Sequence, residues 1–227
     1  VKRMAALPMD AHPGEKYIYG YSTDILGVVV EKASGMTFDK FLNERIFAPL
    51  GMKDTNFYLP PDQTGRLAVV YSAKDGKIER APDPGTVVSQ GAYVTGPRKS
   101  FSGGAGLLST AGDYLRFLHM LANGGQLNGK RVLSRKSVEL MIVDHISGIP
   151  FRSGRGFGLG FSIVKDIGMY GEPTSVGEYS WGGAYHSTYW VDPKEQLVVV
   201  YFTQLIPAGA IDDFGKLRAL VYSAIVD

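Results

Sequence analysis

The chain contains no cysteine. That excludes disulfides, thiolate metal sites and a cysteine nucleophile. Its four histidines, His12, His119, His145 and His186, are scattered. None stands at the His-x-x-x-His spacing that would set two imidazoles on one helix face, so the sequence does not point to zinc. Charge of one sign is also scarce. The 24 Lys and Arg against 22 Asp and Glu leave a net charge of +2. No basic run exceeds two residues, so neither a nucleic-acid footprint nor a polybasic membrane patch is present. The longest apolar stretches, such as Leu197 to Phe202, have strand length and fall well short of the ~20 residues of a membrane-spanning helix. No signal peptide is legible within the chain, and the compartment stays open between cytoplasm and export, the protein being read as soluble.

Motifs for a serine nucleophile are missing as well. There is no Gly-x-Ser-x-Gly elbow. The one Ser-x-x-Lys runs from Ser162 to Lys165. That pair works when the serine opens a helix and the lysine follows one turn later on the same face. Here Gly-Leu-Gly-Phe precedes it and Ile163-Val164 fills it, which reads as a strand. On a strand, positions i and i+3 point to opposite faces. Ser162 and Lys165 are therefore set aside as a catalytic pair.

What is abundant is glycine. The chain has 29 glycines and 12 prolines, about 18% of the chain against roughly 12% in average usage. Residues 1–20 read as loop. A helix is expected from about Thr23 to Ser34, with Ile25, Leu26, Val29, Val30 and Ala33 on one face and Gly35 as its stop. Thr37 then caps a second helix to Phe47, which Pro49 and Gly51 end. A hairpin follows, Leu67 to Tyr71 and Lys77 to Arg80, turned at Asp75-Gly76. Residues 81–106 form a long Gly/Pro/Ser-rich loop. Ser109 and Thr110 open a helix through Ala122, and Ser134 caps another to about Val143.

From Gly156 the period changes to that of strands: Gly156 to Lys165, Tyr179 to Val191 and Gln196 to Leu205. A tight turn at Asp192 to Glu195 makes the last pair antiparallel. An amphipathic helix, about Ala210 to Ile225, closes the chain. Ile211, Phe214, Leu217, Leu220, Val221 and Ala224 line its apolar face, and Asp212 and Asp213 sit at its positive end. The helix-rich part (1–150) and the strand-rich part (151–227) read as α+β, two parts of one unit.

Few residues can carry chemistry. Tyr19, in Tyr19-Gly20-Tyr21 before the first helix, could present its hydroxyl to a cleft and pass protons, or simply pack. Trp181-Gly182-Gly183-Ala184 puts two glycines inside a strand, the mark of a bulge or of a close backbone approach. A ligand on that edge could use the Ala184 amide as an oxyanion donor. His186, two residues on, would share that face and either line the same cleft or serve the packing. His119 reads as a packing or surface residue, and Asp24 and Asp113 as first-turn helix acids.

Together these motifs resemble the serine β-lactamase-related family, in the branch of the family VIII carboxylesterases, which are similar to class C β-lactamases. The resemblance rests on Pro13-Gly14-Glu15-Lys16-Tyr17-Ile18-Tyr19, Ser22 to Gly27, Pro49-Leu50-Gly51-Met52, Phe101 to Ala111 and Asn123-Gly124-Gly125. It continues in Gly156 to Phe161, Trp181-Gly182-Gly183 and Trp190-Val191-Asp192-Pro193. It implies an antiparallel sheet flanked by helices plus a helical region, with the N-terminal part of that fold absent. It places the nucleophilic serine and its lysine upstream of Val1, gives Tyr19 the proton shuttle and gives the Ala184 amide the oxyanion hole. Tyr21, Trp181, Gly182, Gly183 and His186 would border the substrate. Tyr21 stands where the β-lactamases carry asparagine, and Trp181 where they carry a lysine, which makes the pocket more apolar. The resemblance thus implies an acyl-enzyme esterase on short-chain esters, without metal or organic cofactor. Its partners would be an ester or β-lactam-like small molecule and the missing N-terminal segment. A β-lactamase or D-amino-acid peptidase, or an inactive ligand-binding relative, are the alternatives.

Overall fold

The computed structural model describes residues 4–82, 93–209 and 211–226. Helix α1 (Ser22–Ser34) ends on Gly35 in the left-handed region, φ 70°. Helix α2 (Phe38–Leu42) follows at once. Thr37 takes the cap conformation, but its side chain makes no capping bond. Glu31 of α1 accepts from the Phe38 amide at 2.9 Å instead, which ties the two helices together. The helix does not stop at Phe47. It continues through a π-helical turn (Asn43–Phe47) into α3 (Ala48–Leu50), where Gly51 at φ 69° closes it. Pro49 follows directly on the π-helical turn, and the helix closes two residues after it.

The first hairpin pairs β1 (Tyr71–Lys74) with β2 (Lys77–Arg80). Its turn is Asp75-Gly76, both with positive φ, as the dipeptide demands. The ladder starts at Tyr71, so Leu67 to Val70 lie outside it. Much of the long loop expected over 81–106, and Ala210, expected to start the last helix, lie outside the described residues.

Helix α4 (Ala111–Ala122) is capped by the Thr110 hydroxyl, which accepts from the Asp113 amide at 3.1 Å. Asp113 does more than sit in a first turn. It is buried and accepts from the Asp54 amide (2.7 Å) and the Thr55 hydroxyl (3.0 Å), fastening the segment after α3 to α4. A two-residue hairpin, β3 (Gln126–Leu127) and β4 (Lys130–Arg131), leads to α5 (Arg135–Met141), capped by Ser134.

The five-stranded sheet is an antiparallel meander of β5 (Arg155–Phe157), β6 (Ser162–Val164), β7 (Tyr179–Gly183), β8 (Ser187–Asp192) and β9 (Leu197–Tyr201), in that order. A short helix, α6 (Ile167–Tyr170), lies between β6 and β7. Two stretches expected as single strands are hairpins. Gly156 to Lys165 folds back at Gly158–Phe161, where Gly160 takes φ 101°. Tyr179 to Val191 folds back at Ala184–His186, where His186 itself takes φ 60°. Alternation runs through both turns, so periodicity alone did not expose them.

Opposed pairs fix the faces of the sheet. Tyr179 faces Val191 across β7 and β8, and Tyr189 faces Val200 across β8 and β9. This face joins Leu118, Met120 and Leu121 of α4, Phe47 and Leu50 of the first helices and Val138 of α5 in one core. The opposite face carries Ser180, Trp190 and Asp192 and meets α7 (Asp213–Ser223). The expected apolar stripe of α7 is only partly covered: Phe214, Leu217 and Val221 are half-buried, whereas Ile211, Leu220 and Ala224 are exposed. Arg218 and Tyr222, which the sequence left off that face, pack inward beside Phe214. Arg218 grips Glu178 with two bonds of 2.5 and 3.0 Å, and Tyr222 donates to Asp192 at 2.7 Å. Buried carboxylates on that face demand a cation and a hydroxyl, not leucine.

Candidate active site

The glycine-rich block at 102–106 lies flat on α1. Gly27 approaches Gly103 so closely that a Cβ there would meet the Gly103 amide nitrogen at 3.3 Å. A Cβ on Gly103 would run into the Thr23 carbonyl oxygen. Asp24 accepts the Ser102 hydroxyl, so this helix acid locks the block to α1. With α1 fixed, the segment before it is carried across to the open end of β7. There the Tyr19 ring meets the Trp181 ring, centroids 5.9 Å apart. Tyr19 remains 72% exposed. Tyr21 precedes the first turn of α1 and is also exposed.

The wall behind them is aromatic. Phe157 packs edge-on against Trp181 at 5.1 Å and tilted against Tyr17 at 5.0 Å, and Phe151 meets Tyr17 and Phe157. Burial pushes the Tyr17 hydroxyl up, while the nearby Arg152 charge pulls the other way. Sequence reasoning missed Tyr17, Phe151, Arg152 and Phe157 as site residues. They come from the segment before α1 and from the stretch that leads into and includes β5, far apart in the chain.

Gly182 and Gly183 sit on β7 opposite Thr188 and Ser187. A Cβ on Gly183 would lie 2.5 Å from the Ser187 hydroxyl, so a larger residue there would have to turn that hydroxyl away. Ala184 follows in the turn, not in a strand. His186 therefore does not share its face by strand alternation, as the sequence suggested. Its side chain leaves the cleft side and stacks on Phe214 of α7, centroids 4.0 Å apart and planes 12° apart. Its Nε2 donates to Asp213 at 2.7 Å, and the Tyr201 hydroxyl donates to the same carboxylate at 3.0 Å. The Thr203 hydroxyl donates to the His186 carbonyl at 2.5 Å. Burial works against the charged Asp213, but the bonds from His186 and Tyr201 outweigh it and hold the carboxyl below its usual range.

Ser162 and Lys165 are not a pair. Ser162 is buried on β6, and Lys165 reaches Asp144 at 2.5 Å. His119 is exposed on α4. Among the described residues no group of three or more His, Asp or Glu is placed to hold a metal ion, and no helix is long and apolar enough to cross a membrane.

The site thus brings together one exposed tyrosine, one indole and a glycine-tight turn with a backbone amide at its head. That set suits proton transfer and oxyanion binding at a carbonyl carbon. Comparison with known proteins gives the family. Protein Rv1367c of Mycobacterium tuberculosis is 36% identical over 222 residues, covering 92% of this chain and 54% of that protein. Esterase EstB of Burkholderia gladioli is 29% identical, covering 98% of this chain and 58% of its own length. The solved structure of EstCE1, a hydrolase with promiscuous acyltransferase activity, superposes with a TM-score of 0.79 at 26% identity, over 93% of this chain and 57% of that one. The chain spans about half the length of the curated relatives it matches. The family model described as Beta-lactamase matches residues 1–220, and the chain belongs to that family.

Proposed function

We propose that this chain supplies the C-terminal portion of a serine hydrolase that cleaves short-chain carboxylic esters through an acyl-enzyme. The observation that carries the proposal is the meeting of Tyr19 with Trp181 at 5.9 Å beside the Gly182-Gly183 turn. That contact supports a reading in which the Tyr19 hydroxyl and the Ala184 amide serve one site. The serine and lysine of the reaction are assigned to the part of the relatives' length that this chain does not span. The face of α1 next to Tyr19 supports that assignment: Leu26 is 58% and Val29 53% exposed, an apolar stripe that a further segment would cover.

In the proposed reaction the serine hydroxyl attacks the ester carbonyl while Tyr19, paired with the lysine, takes its proton. The Ala184 amide binds the developing oxyanion. The carbon–oxygen bond to the alcohol breaks, and Tyr19 returns the proton to the departing oxygen. Water then repeats the sequence on the acyl-serine and releases the acid. Tyr21 and Trp181 border the acyl group.

The test is hydrolysis of p-nitrophenyl butyrate by residues 1–227 alone and by a longer protein that adds the upstream segment with its Ser-x-x-Lys. Turnover by the longer protein only is the expected result. Equal turnover by residues 1–227 alone overturns the placement of the nucleophile. A longer protein that leaves this ester intact but opens a chromogenic cephalosporin supports the β-lactamase reading instead.

A further inference from the structure

Trp181 in place of a lysine leaves, on sequence alone, no cation at the cleft wall. The structure brings one there from another segment. The guanidinium carbon of Arg152 lies 5.1 Å from the Trp181 ring centroid and 5.6 Å from that of Phe151. Trp181 is the residue that meets Tyr19 and Phe157. Arg152 is therefore seated on the aromatic wall of the candidate site.

Its chemistry is unspent. Among the described residues Arg152 has no ion-pair partner, whereas Arg66, Arg135 and Arg218 each hold a carboxylate. Its guanidinium makes no hydrogen bond among those residues either. A guanidinium held by aromatic rings keeps its N–H donors free, and its planar fork matches a carboxylate with two parallel bonds. The rings also restrict the long side chain in advance, which reduces the ordering that binding would otherwise require. A cation so placed, exposed yet positioned, selects for a negative charge on whatever occupies the cleft.

We infer that Arg152 is a specificity-determining residue that binds a carboxylate carried by the substrate, so that the esters taken are anionic: half-esters of dicarboxylic acids, or esters of a carboxylate-bearing alcohol. The inference rests on the esterase reading above. The carboxylate sits several bonds from the scissile carbonyl, because Arg152 contacts Trp181 and not the turn at Ala184.

The experiment compares matched neutral and anionic esters on the longer protein, after subtracting hydrolysis without enzyme. One pair is p-nitrophenyl hexanoate and mono-p-nitrophenyl adipate, which puts the charge on the acyl side. The other is phenyl acetate and 3-acetoxybenzoate, which puts it on the leaving group. In at least one pair the anionic ester is favoured in kcat/KM by about tenfold or more, as expected for a charge-assisted bond. Arg152→Gln removes that preference, Arg152→Lys keeps part of it, and added salt shrinks it. If neutral esters turn over but neither pair shows a preference, or the preference survives Arg152→Gln, the inference is overturned alone. If no ester turns over, the esterase reading falls and this inference with it.

Discussion

His186 Nε2 lies 2.7 Å from Asp213 Oδ1, which ties the turn after Ala184 to the first residue of α7. The turn needs such a tie. His186 adopts φ 60°, a conformation that costs an L-residue of this size roughly 1–3 kcal/mol. The ring stack on Phe214 and the Thr203 bond to the His186 carbonyl help to offset that cost. His186, which the sequence offered as a cleft-lining residue, is tied to α7 instead, and under the proposed function it would hold the turn that carries the Ala184 amide.

His186→Ala is expected to lower kcat on p-nitrophenyl butyrate by roughly 10- to 100-fold while KM changes little, because misplacing a reacting group by about an ångström has that effect. Steady-state kinetics on the longer protein check this. An unchanged kcat would place His186 in packing alone.

Asp213 gives the same tie a pH signature. Its folded carboxyl lies below the ordinary value of about 3.9. A lowered folded pKa means that the unfolded chain takes up protons first as the pH falls. The stability contributed by Asp213 is therefore fully present above about pH 4 and is lost as the pH falls through the folded value. Denaturation midpoints of the parent and Asp213→Asn should differ most near neutral pH and converge below pH 4. A constant difference across that range would contradict the assignment.

Arg218 and Glu178 test the other face of the sheet. Both are buried, and the pair is bidentate. Arg218→Met leaves the Glu178 carboxylate buried without its cation and should cost about 3–5 kcal/mol. Adding Glu178→Leu should recover much of that loss, which urea denaturation of the two variants measures.

Much of this was readable from local chemistry. Asp75-Gly76 named its own turn, Thr110 and Ser134 named their helices, and the Asp192 turn set β8 against β9. The α+β class and the antiparallel sheet followed. The hairpin at Ala184–His186 was not readable, because a histidine at positive φ is held there by residues of a helix that follows β9. The inward face of α7 was misread for a similar reason. Arg218 and Tyr222 look polar until Glu178 and Asp192 are known to lie buried opposite them. In the site, Tyr19, Tyr21, Trp181 and the glycines stood out in the sequence by motif. Arg152 did not, since only folding brings it onto the Trp181 ring.

In the proposed reaction Tyr19, exposed and set against Trp181, moves the proton of acyl transfer. The most direct measurement is kcat for p-nitrophenyl butyrate with Tyr19→Phe in the longer protein, the phenylalanine preserving the ring contact with Trp181. The expected result is a loss of about 100-fold or more, the ordinary contribution of a general acid–base group. A kcat within a few-fold of the parent would contradict it.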